Sequence, residues 1–403
     1  MRLKHLPHPK AILGVGSRGR NDHVERIQPM SSQSTSKGLH LPSLSIEGFR
    51  AIRGLSIDRL GRVTLISGKN NTGKTSILEA VRILVEGGAR NTIREILQRR
   101  EEHISFNEDF AFDYFLVSPL FHGFPEIDDF FHPIVISTRD GSREVQLEVK
   151  WLPAEIDRRG IRRISDTESE VVEWDSDLIP ALVVTTEETV TTYRIDSLHR
   201  HVPSRQIGQH PASSRKFPSA RYVNSSSAER TSMLGSLWDS ISLTESEQHV
   251  LEALQILDES IIDMSMIGER SSRRAIVQSR KFTQPVPLRS FGDGMNRLFG
   301  IILTLVNVSG GILLIDEFEN GLHHTLQVKA WDLIFRLATK LNVQILATTH
   351  SFDCVAAFAQ VAVVHEEIDG LMVRIEQHEN QMRVVDYTEQ DLLVAALQRI
   401  EVR

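Results

Sequence analysis

The stretch RVTLISGKNNTGKTSILEAVRILVEGG, residues 62–88, decides the fold class of this 403-residue chain. A run of β-forming residues leads into GKNNTGKT, residues 68–75, and apolar residues then recur with a helical period. A strand, a glycine-rich loop and a helix in this order form a phosphate-binding loop, because the glycines let backbone N–H groups approach phosphate oxygens. The stretch therefore predicts an α/β core that binds a phosphorylated ligand at this loop.

The loop matches the pattern G-x-x-x-x-G-K-[ST], and its polar residues have expected roles. Lys74 would place its charge on the β- and γ-phosphates of a nucleotide, and the Thr75 hydroxyl would bind Mg²⁺. The strand before the loop and the helix after it are the context that makes the motif specific. The predicted nucleotide-binding residues are Gly68, Asn70, Asn71, Thr72, Gly73, Lys74, Thr75 and Ser76.

Two further buried strands end in residues suited to hydrolysis. The segment ILLIDE, residues 312–317, places Asp316 at the carboxyl end of a strand, where it would hold Mg²⁺ through water. Glu317 beside it would polarise the attacking water as a general base. The segment ILATTHS, residues 345–351, ends at His350, which would contact the γ-phosphate. Glu317 and His350 are therefore the predicted catalytic residues, with Thr75 and Asp316 at the metal.

A second glycine turn, SFGDG at residues 290–294, precedes another apolar helical run. Its S-x-G-x-G pattern is typical of an anion-binding helix N-terminus, because glycines free the backbone N–H groups at the positive end of the helix dipole. Ser290, Gly292 and Gly294 are therefore candidate nucleotide-binding residues. The alternative is that Ser290 only caps the helix that follows.

Composition narrows the class of protein. The one cysteine, Cys354, excludes a disulfide framework and is expected to pack as a small apolar side chain. No apolar run is long enough to span a bilayer and no secretory signal is evident, so a cytoplasmic location is predicted. A net charge of −7 gives no general attraction to nucleic acid. His323 and His324 do not predict a zinc site, because adjacent side chains diverge.

The chain divides by composition into four segments. Residues 1–40 are basic and serine-rich and predict a disordered tail. Residues 41–100 and 286–403 show α/β alternation and predict one core. Residues 101–285, which read as strands, then irregular loop, then a helix, predict an inserted lobe. In that lobe, Thr244 before Glu247 predicts a capping box.

The motifs together resemble a known family. LSIEGFRAIRGLSID, residues 44–58, followed by ISGKNNTGKTSILEAV resembles the start of ABC-class ATPases of the RecF, SMC and overcoming-lysogenisation-defect (OLD) type. SFGDG stands at the place of the ABC signature. IDEFENGLHH, residues 315–324, resembles Walker B with its D-loop, and ATTHS, residues 347–351, resembles the switch histidine segment. The match covers about half the chain, and the order of the four motifs is specific.

The resemblance implies a P-loop NTPase fold with an ABC-type ATPase head, and ATP and Mg²⁺ as cofactors. It also implies a dimer or higher oligomer, in which Ser290, Gly292 and Gly294 of one copy bind the γ-phosphate of ATP held by the loop of another. Such standalone OLD-like ATPases often belong to anti-phage or DNA-maintenance systems and act with a separately encoded effector protein. These implications would explain why one chain carries two phosphate-binding devices.

The chain also departs from the family. Gln98 is the nearest candidate for the Q-loop residue, no heptad repeat predicts an SMC-type coiled coil, and the Toprim nuclease half of OLD-type proteins is not expected. A RecF-like DNA-binding clamp is the second hypothesis, and a P-loop kinase is disfavoured because it explains neither SFGDG nor His350. The clamp would need a basic stripe, for which the candidates are Arg200, Arg205, Arg215, Lys216, Arg221, Arg230, Arg270, Arg273, Arg274, Arg280 and Lys281.

Overall fold

The computed structural model describes residues 38–106, 112–115, 117–126, 131–156, 162–164, 178–195, 198, 218–225, 231–268, 273–378 and 381–387. The helices within these ranges are α1 (Lys74–Val85), α2 (Arg90–Arg99), α3 (Thr231–Ile241), α4 (Glu245–Leu257), α5 (Asp293–Asn307), α6 (His324–Lys340) and α7 (Phe352–Val364). Two short 3₁₀ turns, Ser118–Leu120 and Leu288–Phe291, complete the helical structure of the described part.

The strands of the same ranges are β1 (Leu44–Phe49), β2 (Ile52–Ile57), β3 (Val63–Ser67), β4 (His103–Phe106), β5 (Phe112–Phe115), β6 (Ile134–Ser137), β7 (Glu144–Ile156), β8 (Arg162–Ile164), β9 (Leu178–Thr186), β10 (Val190–Arg194), β11 (Ala220–Val223), β12 (Ile261–Ile267), β13 (Arg274–Ser279), β14 (Val286–Pro287), β15 (Ile312–Ile315), β16 (Gln344–Thr349), β17 (Gly370–His378) and β18 (Gln381–Tyr387). The strands predicted from residues 44–67, 312–315 and 344–349 are therefore confirmed.

The central sheet has the order β11-β15-β16-β3-β17-β18. Its pairs are parallel except β17 with β18. β16 lies between β3, which leads into the phosphate loop, and β15, which leads into Asp316. Because the carboxyl ends of parallel strands meet at one edge, this order brings the loop, the two acids and His350 together.

Side chains of the central sheet alternate between two hydrophobic clusters, as the pleat of a strand requires. Leu313 and Ile315 face the cluster that contains α3 to α7, and Trp331 and Phe358 are fully buried there. Ile312 and Leu314 face the other cluster, which contains α1 and α2. Strands with apolar residues on both faces are typical of a buried parallel sheet covered on both sides.

A second sheet of antiparallel strands covers α1 from the other side. Its order is β10-β9-β7-β6-β1-β2, with β8 paired to β7. α1 packs between the two sheets, and Ile77, Leu78 and Val81 are fully buried in the same cluster as Ile46 and Ile136. The helix that begins at the phosphate loop is therefore held on both sides, which fixes the loop at its N-terminus.

The segment predicted as an inserted lobe shares these layers. β6, β7, β9 and β10 extend the sheet begun by β1 and β2, and β11 forms the edge of the central sheet beside β15. α3 and α4 pack on α5, and residues 36–403 form one compact unit. The composition boundaries at 100 and 286 are therefore not boundaries between compact units, because strands from both segments complete each other's hydrogen bonding.

Smaller elements complete the described part. β12, β13 and β14 form a three-stranded sheet, and β4 pairs with β5. Thr244 caps α4 by accepting from the Ser246 N–H at 3.2 Å, while the Glu247 carboxylate accepts from the Leu243 N–H at 2.6 Å. The predicted reciprocal cap is thus present, but each side chain accepts from the N–H one residue before the expected one. Of the predicted tail, residues 1–37 lie outside the described residues, as do residues 388–403. No helix in the described ranges is long and apolar enough to cross a membrane.

Candidate functional site

The phosphate loop has a backbone that only small or special residues permit. Gly73 is the N-cap of α1 with φ of 83°, and Asn71 also has a positive φ, of 65°. A Cβ atom on Gly68 would lie 2.8 Å from the Ile375 carbonyl oxygen of β17. The loop therefore turns tightly against its neighbouring strand, and glycine at 68 is required by that contact.

Lys74 lies over this loop. Its Nζ donates to the carbonyl oxygens of Gly68 at 2.8 Å and Lys69 at 2.7 Å, and the residue is 8% exposed. Burial lowers the pKa of Lys74, and the nearby carboxylates of Glu319, Glu317 and Asp316 oppose that shift. The ammonium group is thus held in a partly desolvated place where its attraction for phosphate oxygens is strong.

The remaining loop residues differ in exposure. Asn70 and Asn71 are exposed at the tip, whereas Thr72 and Ser76 are buried. The Thr72 hydroxyl donates to the Lys69 carbonyl oxygen at 2.9 Å, which stabilises the turn from within. The backbone N–H groups that could bind phosphate therefore belong to a rigid loop.

Asp316 lies next to the loop, at the end of β15. Its carboxylate accepts from the Thr75 hydroxyl, with Oγ1 at 3.2 Å from Oδ1 and 3.1 Å from Oδ2. The Thr348 hydroxyl donates to Oδ1 at 2.7 Å. A hydroxyl and a carboxylate side by side are the oxygen donors that Mg²⁺ prefers, so Thr75 and Asp316 fit the metal predicted there.

Tyr222 of β11 completes the surroundings of Asp316. Its phenol donates to Oδ2 at 3.1 Å, and burial together with the Asp316 and Glu79 carboxylates raises the pKa of Tyr222 well above its usual value. The phenol therefore stays protonated and acts as a donor. The Arg99 guanidinium lies 4.4 Å from the centre of the Tyr222 ring, which connects the end of α2 to the Asp316 carboxylate.

Glu317 follows Asp316 in an unusual backbone conformation. Its φ is 47°, and its N–H donates to the Thr348 hydroxyl at 2.9 Å. Its side chain is 36% exposed, and Oε1 lies 3.7 Å from Nδ1 of His350. A left-handed conformation in a non-glycine residue costs energy and persists only when the surroundings impose it. In this conformation the carboxylate is near His350 and acts electrostatically on Lys74 of the phosphate loop.

His350 is held by a residue that the sequence did not single out. The Glu319 Oε1 accepts from the His350 backbone N–H at 2.9 Å and lies 3.2 Å from its Nδ1. The site therefore contains three carboxylates, from Asp316, Glu317 and Glu319, around the ends of β15 and β16. Tyr222, Thr348 and Glu319 were all missed, although the parallel strand pairing that places Thr348 is inferable from the buried runs around it.

The second glycine turn lies elsewhere, at the start of α5. Ser290 belongs to the 3₁₀ turn before the helix, and the N-cap is Gly292, with φ of 104° and no side-chain cap. A Cβ atom on Gly292 would meet nothing within 4 Å, and Ser290 is exposed. The alternative interpretation of Ser290 as a helix cap is therefore wrong, because the helix begins two residues too late for it. Gly294 is less open, since a Cβ there would lie 3.0 Å from the Gly321 carbonyl oxygen.

Three other residues singled out from the sequence, Gln98, His323 and Cys354, lie in or next to helices. Gln98 lies in the last turn of α2 with an exposed side chain. His323 caps α6 by accepting from the Thr325 N–H, and Cys354 is fully buried in the core, which confirms its predicted packing. Across the described ranges, no group of three or more His, Cys, Asp and Glu side chains is arranged to hold a metal ion.

Comparison with known proteins gives the following similarities. A family described as "AAA domain" matches residues 43–261, and one described as "AAA domain, putative AbiEii toxin, Type IV TA system" matches residues 214–353. An "ATP/GTP phosphatase" of Helicobacter pylori is 23% identical over 342 residues, covering 80% of this chain and 88% of the relative.

Similar solved structures are an SMC head bound to the C-winged helix domain of ScpA and an SMC head domain from Thermotoga maritima. The first is 12% identical, covers 86% of this chain and 97% of that structure, and has a TM-score of 0.49. The second is 14% identical, covers 87% of this chain and 100% of that structure, and has a TM-score of 0.40.

The AAA-domain match at residues 43–261 covers more than half of the chain and includes the phosphate loop. The central sheet places that loop beside Asp316 and Glu317, as nucleotide hydrolysis requires. The chain belongs to the AAA-domain family, and it is a P-loop ATPase.

Proposed function

We propose that this ATPase dimerises around ATP, with the phosphate loop of one copy facing the Ser290–Gly294 turn of the other. The state of each composite site would control a separately encoded effector in an anti-phage defence or DNA-maintenance system. The match of residues 214–353 to a family described by an AbiEii toxin supports the defence setting. The phosphatase name of the Helicobacter pylori relative supports nucleotide hydrolysis as the chemistry.

One observation supports the composite site: the Ser290–Gly294 turn is exposed at Ser290, and no side chain caps the helix that follows it. Its described hydrogen bonds are local. The Gly292 N–H donates to the Arg289 carbonyl oxygen at 3.0 Å, the Asn296 N–H to the Gly292 carbonyl oxygen at 3.4 Å, and the Arg289 Nε to the Asp293 carboxylate at 3.1 Å. An uncapped helix N-terminus has free N–H groups that favour an anion. A γ-phosphate presented by a second copy would satisfy them.

The residues of the loop side then have defined tasks. The N–H groups of the loop between Gly68 and Ser76 would bind the β- and γ-phosphates, and Lys74 would add its charge. Thr75 and Asp316 would hold Mg²⁺, which neutralises developing charge on the phosphate oxygens when bound. Thr348 and Tyr222 would orient the Asp316 carboxylate, because both donate hydrogen bonds to it.

Glu317 and His350 would act on the reacting atoms. Glu317 would accept a proton from the attacking water, since its carboxylate is the partly exposed one of the three. His350 would contact the γ-phosphate from the end of β16.

The RecF-like DNA clamp finds less support in the described residues. Arg273 pairs with Asp239, and Lys281 pairs with Asp258 at 2.6 Å, so two of the candidate cations are already neutralised. Arg221 lies in β11, whereas Arg274 begins β13 and Arg280 follows its end, so these three do not line one strand or helix. Arg200, Arg205, Arg215, Lys216, Arg230 and Arg270 lie outside the described residues. We therefore favour an effector protein over DNA as the partner.

Mixing two inactive variants tests the composite site. Ser290→Arg would place bulk and charge where the γ-phosphate should lie, and Lys74→Ala would remove the ammonium group from the other face. Each homodimer would contain two defective sites. A mixed dimer that combines both lesions in one site would keep one intact site, so mixing should restore part of the ATPase rate.

As a control, the Ser290→Arg chain is mixed with a chain that carries both Lys74→Ala and Glu317→Gln. The mixed dimer again keeps one site with wild-type residues on both faces. It should restore the rate equally. A Ser290→Arg homodimer with wild-type turnover would contradict the composite site, and so would failure of both mixtures when size-exclusion chromatography shows that mixed dimers form.

A further inference from the structure

We infer that Glu319 is a positioning residue for His350, and that it directs the Nε2 side of the imidazole toward the phosphate site. The inference rests on the proposed role of His350 in hydrolysis. It goes beyond that role because Glu319 would act through the histidine and not on the nucleotide. Four features of the described structure support it.

The first feature is the turn that delivers Glu319. After Glu317, Phe318 is fully buried and stacks on Trp331 with ring centres 3.8 Å apart, and its N–H donates to the Thr348 carbonyl oxygen at 2.9 Å. The Leu322 N–H donates to the Glu319 carbonyl oxygen at 2.9 Å. The backbone on both sides of Glu319 is therefore anchored to β16 and to the core, so its side chain has a defined direction.

The second feature is a double contact through one oxygen. Oε1 of Glu319 accepts from the His350 backbone N–H at 2.9 Å, and the same atom lies 3.2 Å from the ring Nδ1. The Nδ1–Oε1 approach is close but does not have hydrogen-bond geometry, so the backbone N–H is the hydrogen bond that ties Glu319 to His350. The carboxylate lies at the Nδ1 side of the ring, which leaves Nε2 as the ring nitrogen for another partner.

The third feature is the burial of this carboxylate. The Glu319 side chain is 9% exposed, and its Oε2 has no hydrogen-bond partner among the described residues. Burying a carboxylate with one oxygen unpaired costs stability. The contact with His350 is therefore a poor stabilising device, and a role in the site accounts better for a charge at this position.

The fourth feature is the sign of the charge. Burial lowers the pKa of Lys74, and of the three carboxylates that oppose this shift Glu319 has the largest effect. The negative charge of Glu319 therefore acts on the Lys74 ammonium group. A carboxylate would repel a phosphate that it touched. Glu319 is thus suited to hold His350 beside the phosphates and unsuited to bind them itself.

Steady-state ATP hydrolysis by the full chain tests this role with a double-mutant cycle. Glu319→Gln keeps an oxygen for the His350 N–H but loses the negative charge, and we expect kcat to fall about tenfold with KM for ATP within about twofold. Glu319→Ala loses both contacts, so its kcat should be lower still. In a His350→Ala background, Glu319→Gln should change kcat by less than about twofold, because its target is gone.

Glu366→Gln is the matched control, since Glu366 is an exposed acid after α7 and should leave kcat unchanged. Thermal unfolding and calorimetric ATP binding show whether each variant is folded, and Glu319→Gln answers the question if Glu319→Ala does not fold. Wild-type kcat in Glu319→Gln, or an equal loss with and without His350, would overturn the inference. Wild-type kcat in His350→Ala would instead overturn the proposed role of the histidine.

Discussion

The two glycine turns of this molecule are alike in sequence type and opposite in structure. The loop that ends at Lys74 is enclosed by its own chain, with Gly68 against the Ile375 carbonyl oxygen and α1 packed between two sheets. The turn that ends at Gly294 is exposed at Ser290 and open around Gly292. A turn completed by its own chain can bind phosphate by itself, whereas an open one is suited to complete a site on another molecule.

The two turns are nevertheless connected within one chain. Arg297, one helical turn into α5, is buried and donates to the Asp316 carbonyl oxygen at 3.2 Å and to the Asn224 carbonyl oxygen. A movement of α5 at its exposed N-terminus would therefore displace the end of β15, where Asp316 lies. Through Arg297, a change at the Ser290–Gly294 turn could thus alter the phosphate-loop site of the same chain.

The largest expected effect is on the closed turn. Lys74→Ala should weaken ATP binding at least about a hundredfold, because hydrogen bonds to a charged group contribute about 1.5–3 kcal/mol and the charge itself is also lost. Isothermal titration calorimetry measures it. Lys340→Ala, which removes an exposed lysine of α6, is the control and should bind as wild type. Unchanged ATP affinity in Lys74→Ala would mean that this loop does not bind the phosphates.

The next effect separates binding from chemistry. Glu317→Gln should bind ATP and hydrolyse it at least about a hundredfold more slowly, the usual scale for losing a general base. Because the nucleotide stays bound, the dimer should be enriched on size-exclusion chromatography with ATP. That enrichment should vanish when Ser290→Arg is added, which distinguishes a composite site from a dimer held elsewhere. Turnover at the wild-type rate would place the base at another residue.

A third prediction concerns the backbone of the two turns. Gly68→Ala should lower the free energy of unfolding by about 2 kcal/mol or more, because the added methyl meets a backbone carbonyl that cannot move aside. Gly292→Ala should cost about 1 kcal/mol, since the positive φ is the source of strain there and the methyl has space. Chemical denaturation of both variants gives the comparison. Equal losses would mean that the two turns are equally enclosed.

The sequence predicted the parts of the site that are local. The strand, loop and helix around Lys74 carry their pattern within a few residues, so their conformation follows from neighbours along the chain. Asp316, Glu317 and His350 were found because buried runs end at them. Tyr222 was not predicted, because β11 is only four residues long and follows a segment whose composition predicts irregular loop. Its pairing with β15 depends on the sheet edge that β15 leaves open.

Glu319 and the shared layers escaped prediction for a related reason. Glu319 meets His350 only because Glu317 takes a left-handed conformation and Phe318 enters the core, and neither event has a sequence signal. The segment 101–285 looked like a separate lobe because its composition changes. Composition does not report which strands hydrogen-bond to one another, and here they cross both boundaries.

The smallest expected effect decides what Ser290 does. Ser290 is not the N-cap of α5, so Ser290→Ala should leave the free energy of unfolding unchanged. Thr244, in contrast, accepts from the Ser246 N–H as the cap of α4, and Thr244→Ala should cost about 1 kcal/mol. Urea denaturation of the two variants side by side measures the difference. The ATPase rates should be ordered the other way, with Thr244→Ala at the wild-type rate and Ser290→Ala reduced, since a hydroxyl that caps nothing in its own chain is available to a phosphate on another. A loss of stability in Ser290→Ala comparable to that in Thr244→Ala, together with an unchanged rate, would mean that the open turn serves its own helix and that the second phosphate-binding device is only apparent.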